Sequence, residues 1–346
     1  MHPSGLHKPR FMKDYRFAIV GCGKISGRHA AQIASVGKLA AVCDVIPQRA
    51  AELAAQYGAA SYPSLQDLLS HESKLDVVSI CTPNYLHADH SIASLEAGFH
   101  VLCEKPLAIS LPDAQRMQAV ATACNKRLFV VKSTRFNPPV QAVKKLVEQG
   151  KLGRIYSFQL GCFWNRPAAY YAGSWRGKTA TDGGTLFTQF SHYIDVLYWL
   201  LGPVKDCNPM RRNFAHKESV EFEDTGAAVV EMDCGAIGTI NYSVNCYGKN
   251  MEVSLVLIGE KGTVKIGGEY LNKLEYQQIE GTSVPELPAG NGANDYGFYR
   301  GSMGNHKDVY ENLVKALNDS THPFTDGETG MQTIKIIEQL YTSPVL

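Results

Sequence analysis

Phe17-Ala18-Ile19-Val20-Gly21-Cys22-Gly23-Lys24-Ile25-Ser26 runs a short apolar strand directly into a glycine pair, and a helical pattern follows. Two glycines permit a tight turn and let backbone N–H groups come close to a pyrophosphate. The helix N-terminus that follows favours the same negative charge. Ser26 stands where a third glycine is usual and is small enough for close packing. The pattern gains weight from an acid about 20 residues on. Asp44 supplies it, at the end of the next apolar run, Leu39-Ala40-Ala41-Val42-Cys43. A carboxylate there accepts from both ribose hydroxyls of an adenosine. Against a 2′-phosphate at about 4 Å it would be repelled by roughly 1–4 kcal/mol. The loop with Asp44 therefore reads as a site for NAD rather than NADP, with Arg49 as a group that softens the preference. Without a nucleotide, the same residues would form only a tight turn and a helix cap.

Outward from this point the pattern repeats. Further apolar runs lie at 76–81, 100–103 and 128–131. Such runs suit parallel strands buried on both faces. Between them, Ala50, Leu53, Ala54 and Tyr57 share a helical face, as do Ala114, Met117, Ala121 and Cys124. Strand–helix–strand repeats predict a Rossmann-type doubly wound parallel sheet over 12–135. Gln149-Gly150-Lys151-Leu152-Gly153 breaks the pattern. Residues 136–346 then read as an α+β domain with a large open, mainly antiparallel sheet. Its strands fall at 155–163, 226–232, 237–245, 251–258, 262–267 and 273–279. One helix is expected from Thr185 to Leu201, stopped by Gly202-Pro203. Residues 284–304 read as a loop. Helices at 303–318 and 327–341 are expected to pack back on the first domain.

The whole chain has 346 residues, with 34 Lys+Arg against 33 Asp+Glu, a net charge of +1. That balance speaks against nucleic acid as a partner. No run of about 18 apolar residues suggests a membrane span, and Met1–Phe11 lacks an apolar signal-peptide core. Those first residues read as a tail, an alternative start or a cloning remnant, with Met12 an equally good initiator. The nine cysteines form no C-x-x-C pair. They read as reduced thiols of a cytoplasmic protein, with Cys22 structural and no metal expected.

Open α/β sheets bind ligands beyond the carboxyl ends of their strands. Three segments with chemical capacity fall there: Thr82-Pro83-Asn84-Tyr85-Leu86-His87, Glu104-Lys105-Pro106, and Lys132-Ser133-Thr134-Arg135-Phe136-Asn137. A fourth, Asp182-Gly183-Gly184 running on to His192 and Asp195, opens the expected helix of the second domain. In this order and spacing, with His29 after the glycine loop, the set resembles the Gfo/Idh/MocA oxidoreductase family over about residues 14–341. Within it, Arg135 to Pro139, Trp164-Asn165-Arg166, Tyr170-Tyr171, Trp175-Arg176-Gly177, Thr188 to His192, and the 297–303 segment are similar to bacterial UDP-N-acetylglucosaminuronate 3-dehydrogenases.

The resemblance implies the following roles. Gly21, Gly23, Lys24, Ile25, Asp44, Thr82, Asn84, His87, Glu104, Lys105, Trp175 and Arg176 would contact NAD. Lys105, Arg135, Asn137, Gln189, His192 and Tyr299 would contact a nucleotide sugar, with Arg135 and Asn137 taking its phosphate or carboxylate. Lys105 would bond the reacting oxygen, a role that a water-poor cleft strengthens. His192 would accept the proton, since imidazole is a suitable base near neutral pH. Residue types alone leave open which of the two finally takes it. Thr188 stands where many relatives carry an Asp, so no Asp–His pair is expected. Asp195 either orients His192 or bonds the helix surface. His29, His87 and His306 read equally well as packed residues. A cis Lys105–Pro106 peptide is implied, as is a homodimer or homotetramer. The alternatives are a dehydrogenase for another sugar or an inositol, and a non-catalytic NAD-binding regulator.

Overall fold

A computed structural model describes residues 14–342 apart from 296 and 298. The readings for Met1–Phe11 and Met12, and the first two residues of the 12–135 assignment, lie outside the described residues. The apolar runs form strands in chain order. β1 (Tyr15–Val20), β2 (Gly37–Cys43), β3 (Ala60–Tyr62), β4 (Val77–Ile80), β5 (His100–Cys103) and β6 (Leu128–Val130) make one sheet in the order β3-β2-β1-β4-β5-β6, with every pair parallel. Helices connect them: α1 (Ser26–Val36), α2 (Pro47–Tyr57), α3 (Leu65–His71), α4 (His87–Glu96) and α5 (Leu111–Ala123). The short β3 and α3 were not legible in the sequence. Neither is long enough to show a period.

The order of strands reverses between β1 and β4, so their carboxyl ends open a crevice. Gly21 leaves β1 with φ of +93°, and a Cβ there would stand 2.8 Å from the backbone of Cys81 and Thr82. That close approach is what requires a glycine.

After α6 (Pro138–Glu148) the second sheet begins with β7 (Ile155–Phe163). Three helices follow, the one-turn α7 (Ala168–Tyr171) and α8 (Thr179–Asp182), then α9 (Ser191–Leu201). β8 (Val204–Arg212), β9 (Thr225–Met232), β10 (Ile237–Ser243), β11 (Glu252–Gly259), β12 (Gly262–Gly267) and β13 (Lys273–Ile279) complete it. Its order is β13-β12-β11-β7-β10-β9-β8, antiparallel except for β7 with β10. One face is buried, with Val230, Met232, Ile240 and Tyr242 in the same core cluster as α9. The other exposes Val229 and Ile237.

One strand was missed and two expectations are corrected. Val204–Arg212 is a strand that the polar run Lys205-Asp206-Cys207-Asn208-Pro209 concealed. An edge position tolerates its proline. The 284–304 segment contains a hairpin of β14 (Ala293–Asp295) and β15 (Arg300–Met303). The helix expected from Thr185 is split: Leu186–Phe190 forms a π turn before α9. Such turns recur at functional sites.

The chain ends in α10 (His306–Asn318) and α11 (Gly327–Thr342). Val309, Tyr310, Leu313 and Val314 of α10 share a core with Phe17, Ile19 and Ile33 beside β1 and α1. The return of the last helices thus brings a second-domain element to the glycine loop. All nine cysteines are free. Among the described residues, no helix is long and apolar enough to cross a membrane.

Candidate active site

A cleft of about 960 Å³ lies between the two sheets, over the β1–β4 switch point. Gly21, Gly23, Lys24 and Ile25 line it from the first loop, Asp44 and Arg49 from the end of β2, Thr82, Asn84 and His87 from the end of β4, and Glu104 and Lys105 from the end of β5. Trp175, Arg176, Gln189, His192 and Tyr299 close it from the second domain.

The nucleotide side is built of fixed groups. Asp44 accepts the Cys22 N–H at 2.7 Å with one oxygen and the Ile46 N–H at 2.8 Å with the other. A Cβ on Gly23 would meet nothing within 4 Å, so the loop backbone faces open space. The buried Nε of Arg176 has no protein partner. Its guanidinium stacks on Trp175 and Tyr170, 4.7 Å from each ring. A glycine cradle with free backbone donors, an accepting carboxylate at the end of β2 and a guanidinium on the opposite wall are the groups that a dinucleotide needs. His87 lines the cleft edge but spends both ring nitrogens on the Pro106 and Thr82 carbonyls, at 2.7 and 2.9 Å. It ties two strand-end loops together.

Beneath the loop, the Glu104 carboxylate accepts from His29 at 2.8 Å and His306 at 3.3 Å, and from the Lys105 N–H at 3.0 Å. Burial opposes its charge, but the two histidines hold it well below the usual carboxylate range. These three groups lie within 4.8 Å of one another, as metal ligands do. His29 also bonds the Tyr310 hydroxyl at 2.8 Å through its other nitrogen, which extends the hydrogen-bond network to α10.

At the reacting end the Lys105–Pro106 peptide is cis, as expected. The Lys105 ammonium donates to the Thr188 carbonyl at 2.9 Å. Burial pulls its pKa down to about 8, with Arg166 and Arg176 pushing the same way and Glu104 and Asp182 opposing. His192 stands in the first turn of α9, 4% exposed. Its Nε2 meets the Ser302 hydroxyl at 3.1 Å, and its Nδ1 has no protein partner. Burial, reinforced by Lys105, holds the imidazole well below its ordinary pKa, so it is neutral.

Arg135 and Asn137, expected at the substrate, do not line the cleft. Arg135 makes a paired contact with Asp195 at 2.7 and 2.8 Å, and Lys132 reaches the same carboxylate at 3.0 Å. Although burial opposes its charge, these cations hold Asp195 down to about 2. Asn137 spends its amide on the Tyr270 and Asn305 neighbourhood. A buried charge must find a partner, and Arg135 finds Asp195. Asp195 is thus committed away from His192, which Ser302 holds instead.

Arg166 was missed. It is 2% exposed and lines the cleft. Its guanidinium donates to Gln189 at 2.7 Å, Asn165 at 2.7 Å, Asn250 at 3.2 Å and Arg300 at 3.2 Å, every acceptor neutral. Trp164, Tyr170 and Tyr299 surround it at 4.6 to 5.3 Å. Among the described residues no carboxylate pairs with it. The Trp164-Asn165-Arg166 segment was visible in the sequence, but its missing counterion was not.

Residues 15–132 match the model of an oxidoreductase family with an NAD-binding Rossmann fold, and 140–265 match the GFO/IDH/MocA C-terminal domain. The chain belongs to the GFO/IDH/MocA oxidoreductase family. Its cofactor is NAD. Among solved structures of similar fold, the WlbA dehydrogenase from Bordetella pertussis, in complex with NADH and UDP-GlcNAcA, is 36% identical, with a TM-score of 0.85 and 96% of each chain covered. Levoglucosan dehydrogenase from Pseudarthrobacter phenanthrenivorans is 28% identical over 263 residues, 68% of this chain and 66% of that one. Inositol 2-dehydrogenase 3 from Saccharopolyspora erythraea is 29% identical over 260 residues, 72% of each. The chain thus spans about two thirds of the levoglucosan enzyme's length. The GFO/IDH/MocA members it resembles are dehydrogenases of sugars and polyols.

Proposed function

We propose that this GFO/IDH/MocA enzyme oxidises the C3 hydroxyl of UDP-N-acetyl-2-amino-2-deoxy-glucuronate to the 3-keto sugar, in the cytoplasm, for surface-polysaccharide synthesis. The observation that carries the reading is Arg166. A buried guanidinium without a counterion is costly unless a ligand brings one. A uronate carboxylate does, and the aromatic walls around Arg166 suit a flat cation and a sugar ring. A second cation, Arg176, also lies over the Tyr170 ring, at 4.7 Å. The likeness to WlbA supports the same class of substrate.

Bound NAD supplies the acceptor for the C3 hydride. Lys105 donates a hydrogen bond to the C3 oxygen and stabilises its developing negative charge, an effect that its burial strengthens. His192 accepts the hydroxyl proton. Its imidazole is held neutral by burial, and its Nε2 is oriented by the Ser302 hydroxyl at 3.1 Å. Gln189, fixed between Arg166 and the Tyr170 hydroxyl at 3.0 Å, presents an oriented amide to the sugar. Tyr299 lines the same end.

The test is turnover. NADH formation is measured with UDP-N-acetylglucosaminuronate, UDP-N-acetylglucosamine, free glucosides and inositol. The expected outcome is preference for the uronate. Preference for a neutral sugar or an inositol would remove this reading.

A further inference from the structure

Asp182 ends α8 just behind the cleft wall, 1% exposed, and does not itself line the cleft. One carboxylate oxygen accepts the Gly177 N–H at 2.7 Å, and the other accepts the Thr188 hydroxyl. The Asn84 amide donates to that same hydroxyl at 2.8 Å. A hydroxyl that receives a proton from an amide has only its own proton to give, and here it gives it to a carboxylate. Thr188 is also the residue whose carbonyl accepts the Lys105 ammonium. The π turn makes this possible, because it presents both the carbonyl and the side chain of Thr188 to the space between α8 and the Glu104-Lys105 loop.

The charges facing Lys105 come from every neighbouring element. Glu104 lies on its own loop, Arg166 follows β7, Arg176 precedes α8, Asp182 ends α8 and His192 opens α9. Two of these are fixed cations. Of the two acids, Glu104 is already engaged by His29 and His306. Asp182 is the remaining source of compensation.

We propose that Asp182 is a positioning residue that acts through Thr188 to hold Lys105 in place and keep it protonated for the reaction. The titrations agree with the geometry. Burial raises Asp182 to about 6, against the pull of Thr188, Gly177, Arg176 and Lys105. Lys105 itself lies at about 8. Between these values the acid is ionised and the amine is charged.

The proposal rests on Lys105 standing at the reacting oxygen, but its test needs no sugar. Lys105 in the NADH-bound enzyme is labelled with acetic anhydride over a pH series, and its acetylation is read by peptide mass spectrometry. In Asp182→Asn the labelling midpoint should fall by about one pH unit, about a fivefold gain in free amine at pH 7. Asp182→Asn with Thr188→Asp, which returns a carboxylate to the same place, should restore most of the wild-type midpoint. Unchanged NADH fluorescence on binding shows that each variant is folded. If Asp182→Asn loses NADH binding, Thr188→Val, which removes only the hydroxyl link, decides and should also lower the midpoint. A wild-type midpoint in a variant that still binds NADH overturns the proposal. Absence of turnover with any UDP-sugar would instead count against the substrate reading and leave the labelling result standing.

Discussion

The reacting pair turns on two side chains whose ordinary protonation burial has altered. In the proposed reaction neutral His192 serves as the base across the physiological range, while Lys105 keeps its proton to stabilise an oxyanion. Its lowered pKa of about 8 sets the direction. kcat/KM with a UDP-aminouronate should fall as pH rises through about 8, and a pH–rate series will show it. A limb rising through 8 would assign the proton to Lys105 instead. Lys105→Met should cost about 10³-fold or more in kcat with NAD still bound, and His192→Asn about 10²- to 10⁴-fold. Arg166 predicts a different pattern. A hydrogen bond to a charged group contributes about 1.5–3 kcal/mol, so Arg166→Gln should lower kcat/KM for a uronate about 10- to 100-fold. A UDP-N-acetylhexosamine, whose sugar carries no carboxylate, should lose far less, and steady-state kinetics on both substrates will separate the two.

The element on which the site depends is the π turn Leu186–Phe190. It is anchored from behind. The Tyr341 hydroxyl accepts the Leu186 N–H at 3.0 Å and donates to Glu223 at 2.7 Å, where Tyr242 also donates at 3.1 Å. Burial raises the Glu223 carboxyl to about 7 although these hydroxyls oppose the rise. A carboxyl whose folded pKa lies above its unfolded one binds more protons when folded. Its contribution to stability therefore falls as pH rises from about 4.5 through 7, by about 3 kcal/mol in all. Glu223→Gln abolishes this loss. The difference in stability between variant and wild type, from denaturant titrations at pH 5 and pH 8, should move in the variant's favour at the higher pH.

At the scale of the whole molecule, the open sheet leaves one face uncovered. Ile237 and Ile258 both pair in register with Ser157, so they flank it across three strands, and both are exposed. Val229 and Tyr276 extend the apolar character toward the two edges. Such a face commonly buries itself in a symmetric partner. Sedimentation should find a dimer or tetramer, and Ile237→Glu with Ile258→Glu should shift it toward monomer. A wild-type monomer would show that the face stays in water.

The sequence alone determined whatever depends on local spacing. The strand, glycine pair and helix at residues 17–26, the acid at Asp44 and the alternation of β9 to β12 are all short-range patterns set by sterics and periodicity, whereas the cis Lys105–Pro106 peptide was expected only from the family resemblance. β8 escaped notice because its identity comes from its partner β9 rather than from its own polar residues. The two arginines show the same limit in the site. Arg135 and Arg166 are both buried and both adjoin motif residues, yet one meets Asp195, 60 positions away, and the other meets only neutral acceptors. Whether a buried charge has a counterion is settled by contacts between distant segments, because only folding brings such segments within hydrogen-bond distance. Tertiary structure therefore paired Arg135 with Asp195 away from the cleft, left Arg166 on neutral acceptors in its wall, and placed Asp182 behind Lys105.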